Sequence, residues 1–173
     1  MRTSFILLLA MAFAACSESS LPTDTASAAI DSTATMLSVD LGAQDMPLFV
    51  ELGDATTLGV QAPEVKWNEE RGCMEIGAGE HFAIVITEEE GDLARIKADL
   101  DRDMLQKHTV IEESPEKLVF RSQFPDDQLV FIHFYQIVQM DGRTFTVQDN
   151  EKGRFNETDV ARMAKAVRTQ RAV

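Results

Sequence analysis

Few side chains in this sequence are equipped for chemistry: three histidines (His81, His108, His133), one tyrosine (Tyr135) and two cysteines (Cys16, Cys73). Histidine titrates near neutral pH and is the commonest metal ligand, so the spacing of the three decides what they could do. None falls in an HExxH pair, and there is no Cys/His cluster, so neither a zinc site nor any cofactor is implied. His133 and Tyr135 stand two residues apart in the apolar run Leu129–Met140. If that run is a strand, alternation puts Val130, Ile132, Phe134 and Val138 on one face and His133 and Tyr135 on the other. A proton-exchanging ring beside a phenol makes that second face the candidate ligand face. His81 is expected at a strand start and His108 at a helix end, both in structural roles.

Other acidic and hydroxyl patterns lose to simpler readings. Asp99, Asp101 and Asp103 spell D-x-D-x-D, the opening of a calcium loop. Such a loop needs a glycine next and a bidentate glutamate later. Met104 follows instead, and Arg95 precedes Asp99 by four residues, the spacing of a solvated helix face. Ser114 to Lys117 matches S-x-x-K, yet the S-D-N and K-T-G partners of that motif are missing. Gly77-Ala78-Gly79 opens no helix. The adjacent acids Glu69/Glu70, Glu112/Glu113 and Asp126/Asp127 would point to opposite faces of a strand. No catalytic residue is assigned, and a binding or assembly module, not an enzyme, is expected.

Cys16 has a different context. One positive charge at Arg2 is followed by an apolar run from Phe5 to Ala15, the layout of a secretory signal. The run is shorter than the roughly 20 residues that a membrane-spanning helix needs. Ala14-Ala15-Cys16, with Phe13 where leucine is usual, resembles the lipobox of bacterial lipoproteins. The resemblance implies removal of residues 1–15, a diacylglyceryl thioether on Cys16 and acylation of its new amine. Several acyl chains hold firmly, since each buried methylene adds about 0.8 kcal/mol. The same resemblance, with Ser17 and not aspartate after the cysteine, implies the outer membrane, on the periplasmic side or at the surface. Cys73 is then a lone thiol, expected to be a buried apolar residue.

Composition narrows the partners. The chain has 16 Lys+Arg against 29 Asp+Glu, a net charge of −13, and loss of Arg2 makes it one more negative. No basic residue occurs between Arg2 and Lys66. That excludes nucleic acid as a natural partner and disfavours anionic lipid, because both bind through Lys and Arg. The membrane is expected as a partner only through the acyl anchor, and an envelope protein of basic charge is a candidate second partner. Residues 16–45, rich in Ser, Thr, Ala and Asp, bury too little to fold and read as a disordered tether. As a coil, about 29 residues reach roughly 30 Å. Residues 46–173 form one domain.

Within that domain the pattern is strands at Leu48–Leu52, Val65–Asn68, Cys73–Ile76, His81–Thr87, Thr109–Glu113, Lys117–Gln123, Leu129–Met140 and Thr144–Gln148. A helix over about 91–107 carries the stripe Leu93, Ile96, Leu100, Met104 and Leu105. A second helix, about 156–171, starts at the N-cap Asn156, with Phe155 and Val160 as a hydrophobic staple and Arg168 and Arg171 near its end. Asp141-Gly142 predicts a two-residue hairpin. The expected class is α+β, a mostly antiparallel sheet of about six to eight strands with two helices packed on it.

This order of elements, with its closing helix, resembles the Mog1/PsbP-like fold of lipoproteins related to DcrB over roughly residues 47–171; cystatin-like and other small α+β folds stay open. The family's roles lie in binding and complex assembly. Two alternatives accompany the binding-module expectation: an immunity or inhibitor lipoprotein against a basic toxin, and a ligand-binding domain or enzyme with its site near His133 and Tyr135.

Overall fold

The computed structural model describes residues 34–168. The expected signal 1–15, Cys16, the tether as far as residue 33 and Arg171 lie outside the described residues.

Two antiparallel sheets make the frame. Strands β1 (Met36–Asp40), β2 (Phe49–Asp54) and β10 (Val167–Arg168) form the smaller one, in the order β1-β2-β10. The larger has seven strands: β3 (Glu64–Asn68), β4 (Cys73–Gly77), β5 (Ala83–Glu88), β6 (Lys107–Glu113), β7 (Lys117–Gln123), β8 (Val130–Met140) and β9 (Arg143–Asp149). Their order across the sheet is β3-β4-β5-β9-β8-β7-β6. Helix α1 (Ala55–Leu58) follows β2, α2 (Leu93–Arg102) links β5 to β6, and α3 (Glu157–Met163) follows β9. The class is α+β with a mostly antiparallel sheet, as the strand periodicity implies.

One face of the large sheet is dry. Ile132, Phe134 and Val138 of β8 join Ile84, Ile86, Phe145 and Val147 in a core that also takes Val50 and Leu52 of β2 and Val160 and Met163 of α3. Burying each such side chain is worth about 1.5–3 kcal/mol. The β8–β9 turn is set by Asp141 and Gly142, whose φ angles of 52° and 75° are the left-handed pair that a tight hairpin needs.

Three expectations need correction. The folded unit begins before residue 46: β1 pairs with β2, and Leu37, Leu41 and Met46 are buried. Leu37, Val39 and Leu41 alternate as an edge strand should, inside a composition that otherwise reads as tether.

The helix expected over 91–107 is Leu93–Arg102. Asp103 ends it: its carboxylate accepts the backbone N–H groups of Leu105 and Gln106 at 2.7 and 3.3 Å, and the chain turns into β6. Met104 and Leu105, counted in the helical stripe, are 95% and 74% exposed. His108 therefore sits in a strand, not at a helix end.

The helix expected over 156–171 is Glu157–Met163, after which the chain turns and Val167–Arg168 pairs with the edge of β2. Arg168 does not face a helix end; its Nε donates to Glu51 at 2.6 Å. The start of α3 is as expected. Asn156 accepts from the Asp159 backbone, Asp159 accepts in return from the Asn156 backbone, and Phe155 and Val160 are both buried.

Candidate ligand-binding cleft

The second face of the large sheet is polar and only partly covered. Register places its side chains. His108 of β6 lies opposite Ser122 of β7, which lies opposite Phe131 of β8; Phe120 faces His133, and Tyr135 faces Gln148 of β9. Residues directly opposite share a face, so these seven side chains form one surface. Ile96 and Leu100, half-buried on α2, close it from above and leave a cleft of about 620 Å³. That volume suits a small ligand.

His133 and Tyr135 both line this cleft, but they differ in what they offer. His133 Nδ1 lies 2.8 Å from Asp149 Oδ2, and the other oxygen of Asp149 accepts the Phe134 backbone N–H at 2.8 Å. Asp149 is 4% exposed and held from both sides, so it fixes the imidazole and makes Nδ1 the donor. Among the described residues Nε2 has no hydrogen-bond partner, so it is open to a ligand in the cleft. The Tyr135 phenol bonds to Thr146, while burial, foremost, and the charges of Glu89 and Asp92 push it above its ordinary pKa. It contributes a ring wall and stays protonated.

His108 is bound at both nitrogens: Nδ1 meets Ser122 Oγ and Nε2 meets Asp103 Oδ2, each at 2.8 Å. Hydrogen bonding from His108 first, and from the Leu105 N–H second, holds the Asp103 carboxyl below the usual carboxylate range. A Ser-His-Asp chain invites comparison with hydrolases. There the serine sits on Nε2 and the acid on Nδ1; here the order is reversed, and Ser122 is only 2% exposed. The chain acts as a strut that fastens the 103–106 turn to the sheet.

Rings line the cleft in sequence. His108 meets Phe120 edge-on at 6.1 Å between centroids, Phe120 meets His133 at 5.3 Å, and Phe131 stacks nearly parallel to His133 at 6.5 Å. Four carboxylates, Asp99, Asp103, Asp149 and Glu151, also line it, and no Lys or Arg among the described residues does.

The remaining candidates lie elsewhere. His81 pairs with Asp159 at 3.3 Å, beside α3. Asp99, at the rim of the cleft, pairs with Arg95 and Arg102 of α2, as its spacing suggests, while Asp103 caps the helix. Cys73 is a free, buried thiol whose pKa burial raises. Among the described residues, no group of three or more His, Cys, Asp or Glu could hold a metal ion, and no helix is long and apolar enough to cross a membrane.

Strand alternation points to His133 and Tyr135 in the sequence. Phe131, two residues before His133, carries the same signal. Phe120, Ser122, His108 and Asp149 join the site only through cross-strand register. No protein-family model, curated protein or solved structure matches this chain.

Proposed function

We propose that this protein is a lipid-anchored cell-envelope module that binds a small ligand in the cleft between α2 and the polar sheet face. The observation that carries the binding reading is His133: an imidazole oriented by the buried Asp149, with Nε2 free, set between the rings of Phe120 and Phe131. Apolar walls with a few oriented polar groups are the usual make-up of a ligand site. The reading assigns no reaction.

The anchor rests on the lipobox-like Phe13-Ala14-Ala15-Cys16 and on the charge layout before it. Ser17, where an aspartate would favour the inner membrane, supports a site at the outer membrane, facing the periplasm or the exterior. The likeness to the Mog1/PsbP-like fold is part of the proposal, weakened by the shortness of α3, since the closing helix was one of its supports. An immunity role toward a basic partner has the net charge of −13 behind it.

Two experiments test the two halves. Cys16→Ser should release the protein from the membrane fraction; a variant that still sediments with lipid refutes the anchor. In solution, small aromatic fragments should perturb the NMR signals of Phe120, Phe131 and His133 first, and Phe131→Ala should abolish that response while leaving the protein folded. Fragments that bind only elsewhere would remove the cleft from consideration.

A further inference from the structure

We infer that the ligand of this cleft is a small organic cation, an ammonium group carried on a flat apolar body. The inference rests on the proposed binding function and adds the chemical class.

Three features of the walls converge on that class. The first is charge. Among the described residues the lining contains four carboxylates and no Lys or Arg, in a chain whose net charge is already −13. Asp103 and Asp149 are engaged by hydrogen bonds from His108, His133 and backbone N–H groups, so their carboxyl groups are fixed in place at the cleft wall. Acidic side chains thus outnumber basic ones along this wall, which favours a cation over an anion.

The second is the unused polar capacity. Glu151 is exposed at the cleft, and among the described residues neither its carboxylate nor the Gln148 side chain has a hydrogen-bond or ion-pair partner. His133 Nε2 accepts when the ring is neutral. An ammonium N–H finds acceptors in all three.

The third is the ring surface. Phe120, Phe124 and Phe131 line the cleft. A cation over an aromatic face gains from the ring quadrupole, and a flat apolar body gains from stacking. At one of these rings the molecule makes such a contact itself: the guanidinium of Arg154 lies 5.8 Å from the centroid of Phe131. Arg154 itself lines a neighbouring cleft with Arg121 and Glu157.

The test uses three probes of similar shape: phenethylamine, 2-phenylethanol and 3-phenylpropionate, each titrated into the full chain and followed by NMR and calorimetry. The amine should bind roughly tenfold more tightly than the alcohol, a gain between the worth of an ion pair in bulk water and that of one near a protein surface. The carboxylate should bind more weakly than either. Glu151→Gln should weaken the amine by about two- to fivefold, as loss of an exposed pair does, and leave the alcohol unchanged. Glu151 is solvent-exposed and unpaired, so the variant should fold normally.

Equal affinity for amine and alcohol, or a preference for the carboxylate, would overturn the cation inference and leave the binding function standing. Failure of all three probes to perturb Phe120, Phe131 or His133 would overturn both.

Discussion

The two faces of the seven-stranded sheet share one backbone and carry opposite chemistry. On β8, Ile132, Phe134 and Val138 go into the core at 5%, 1% and 8% exposure. Their neighbours on the other face, Phe131, His133 and Ile137, are only partly buried, and Tyr135 is buried outside the main core cluster. The helices repeat the contrast. Seven-residue α3 buries Val160 and Met163 and has a reciprocal cap, while ten-residue α2 has no fully buried residue. A strand period of two thus divides the labour residue by residue: one set of side chains holds the fold, and the alternate set builds a cleft. Substitutions on the first face should register as stability and on the second as binding.

The largest effect tests the core face. Phe134→Ala removes a fully buried ring and should cost about 3–5 kcal/mol in denaturant unfolding. A loss below about 1 kcal/mol would break the comparison, because the two faces would then weigh alike.

The helix caps give a smaller and sharper test. Asn156→Ala removes the acceptor for the Asp159 backbone N–H at the start of α3 and should cost about 1 kcal/mol of global stability. Asp92→Ala removes the corresponding acceptor for Arg95 on α2. Since α2 rests on the half-covered face, its loss should appear as faster amide exchange within α2 and change global stability by less than about 0.5 kcal/mol. Equal global losses at the two caps would mean that α2 supports the fold as much as α3 does.

The smallest effect concerns pH. The Asp103 carboxyl has a folded pKa below its ordinary value, through His108 first and backbone N–H groups second. A depressed acid stabilises the folded form above the ordinary carboxylate range, and that contribution disappears as pH falls through the folded pKa. Acidification should therefore loosen the 103–106 turn before the core yields. In His108→Ala the Asp103 carboxyl, followed by NMR titration, should move up toward its ordinary value without reaching it, because the N–H groups of Leu105 and Gln106 still bind it. No movement would remove His108 as the cause.

Much of the sheet was legible because alternation and turn residues are local signals. Lys117–Gln123 is a strand with the expected bounds, and Asp141-Gly142 makes the expected hairpin. What escaped was decided by competition or by distance. Met104 and Leu105 continue a helical stripe by type, but the Asp103 side chain captures the next two N–H groups and stops the helix. Val167 has the spacing of a helix face and becomes a strand because β2 offers it an open edge. The cleft divides in the same way. His133 and Tyr135 share a face by alternation alone, whereas Asp149, sixteen residues beyond His133, comes within reach only once β8 and β9 are paired.

The place of β1 has a mechanical consequence. It is an edge strand, held to β2 by five residue pairs from Met36 to Asp40, and every covalent route from the N-terminal side into the fold passes through it. A pull applied from that side loads the small sheet first. Its failure would release β1 before force reached the β6, β7 and β8 strands that bear the rings of the cleft. The small sheet therefore acts as a mechanical fuse, and a domain tugged from its N-terminus would give way there while the pocket kept its shape.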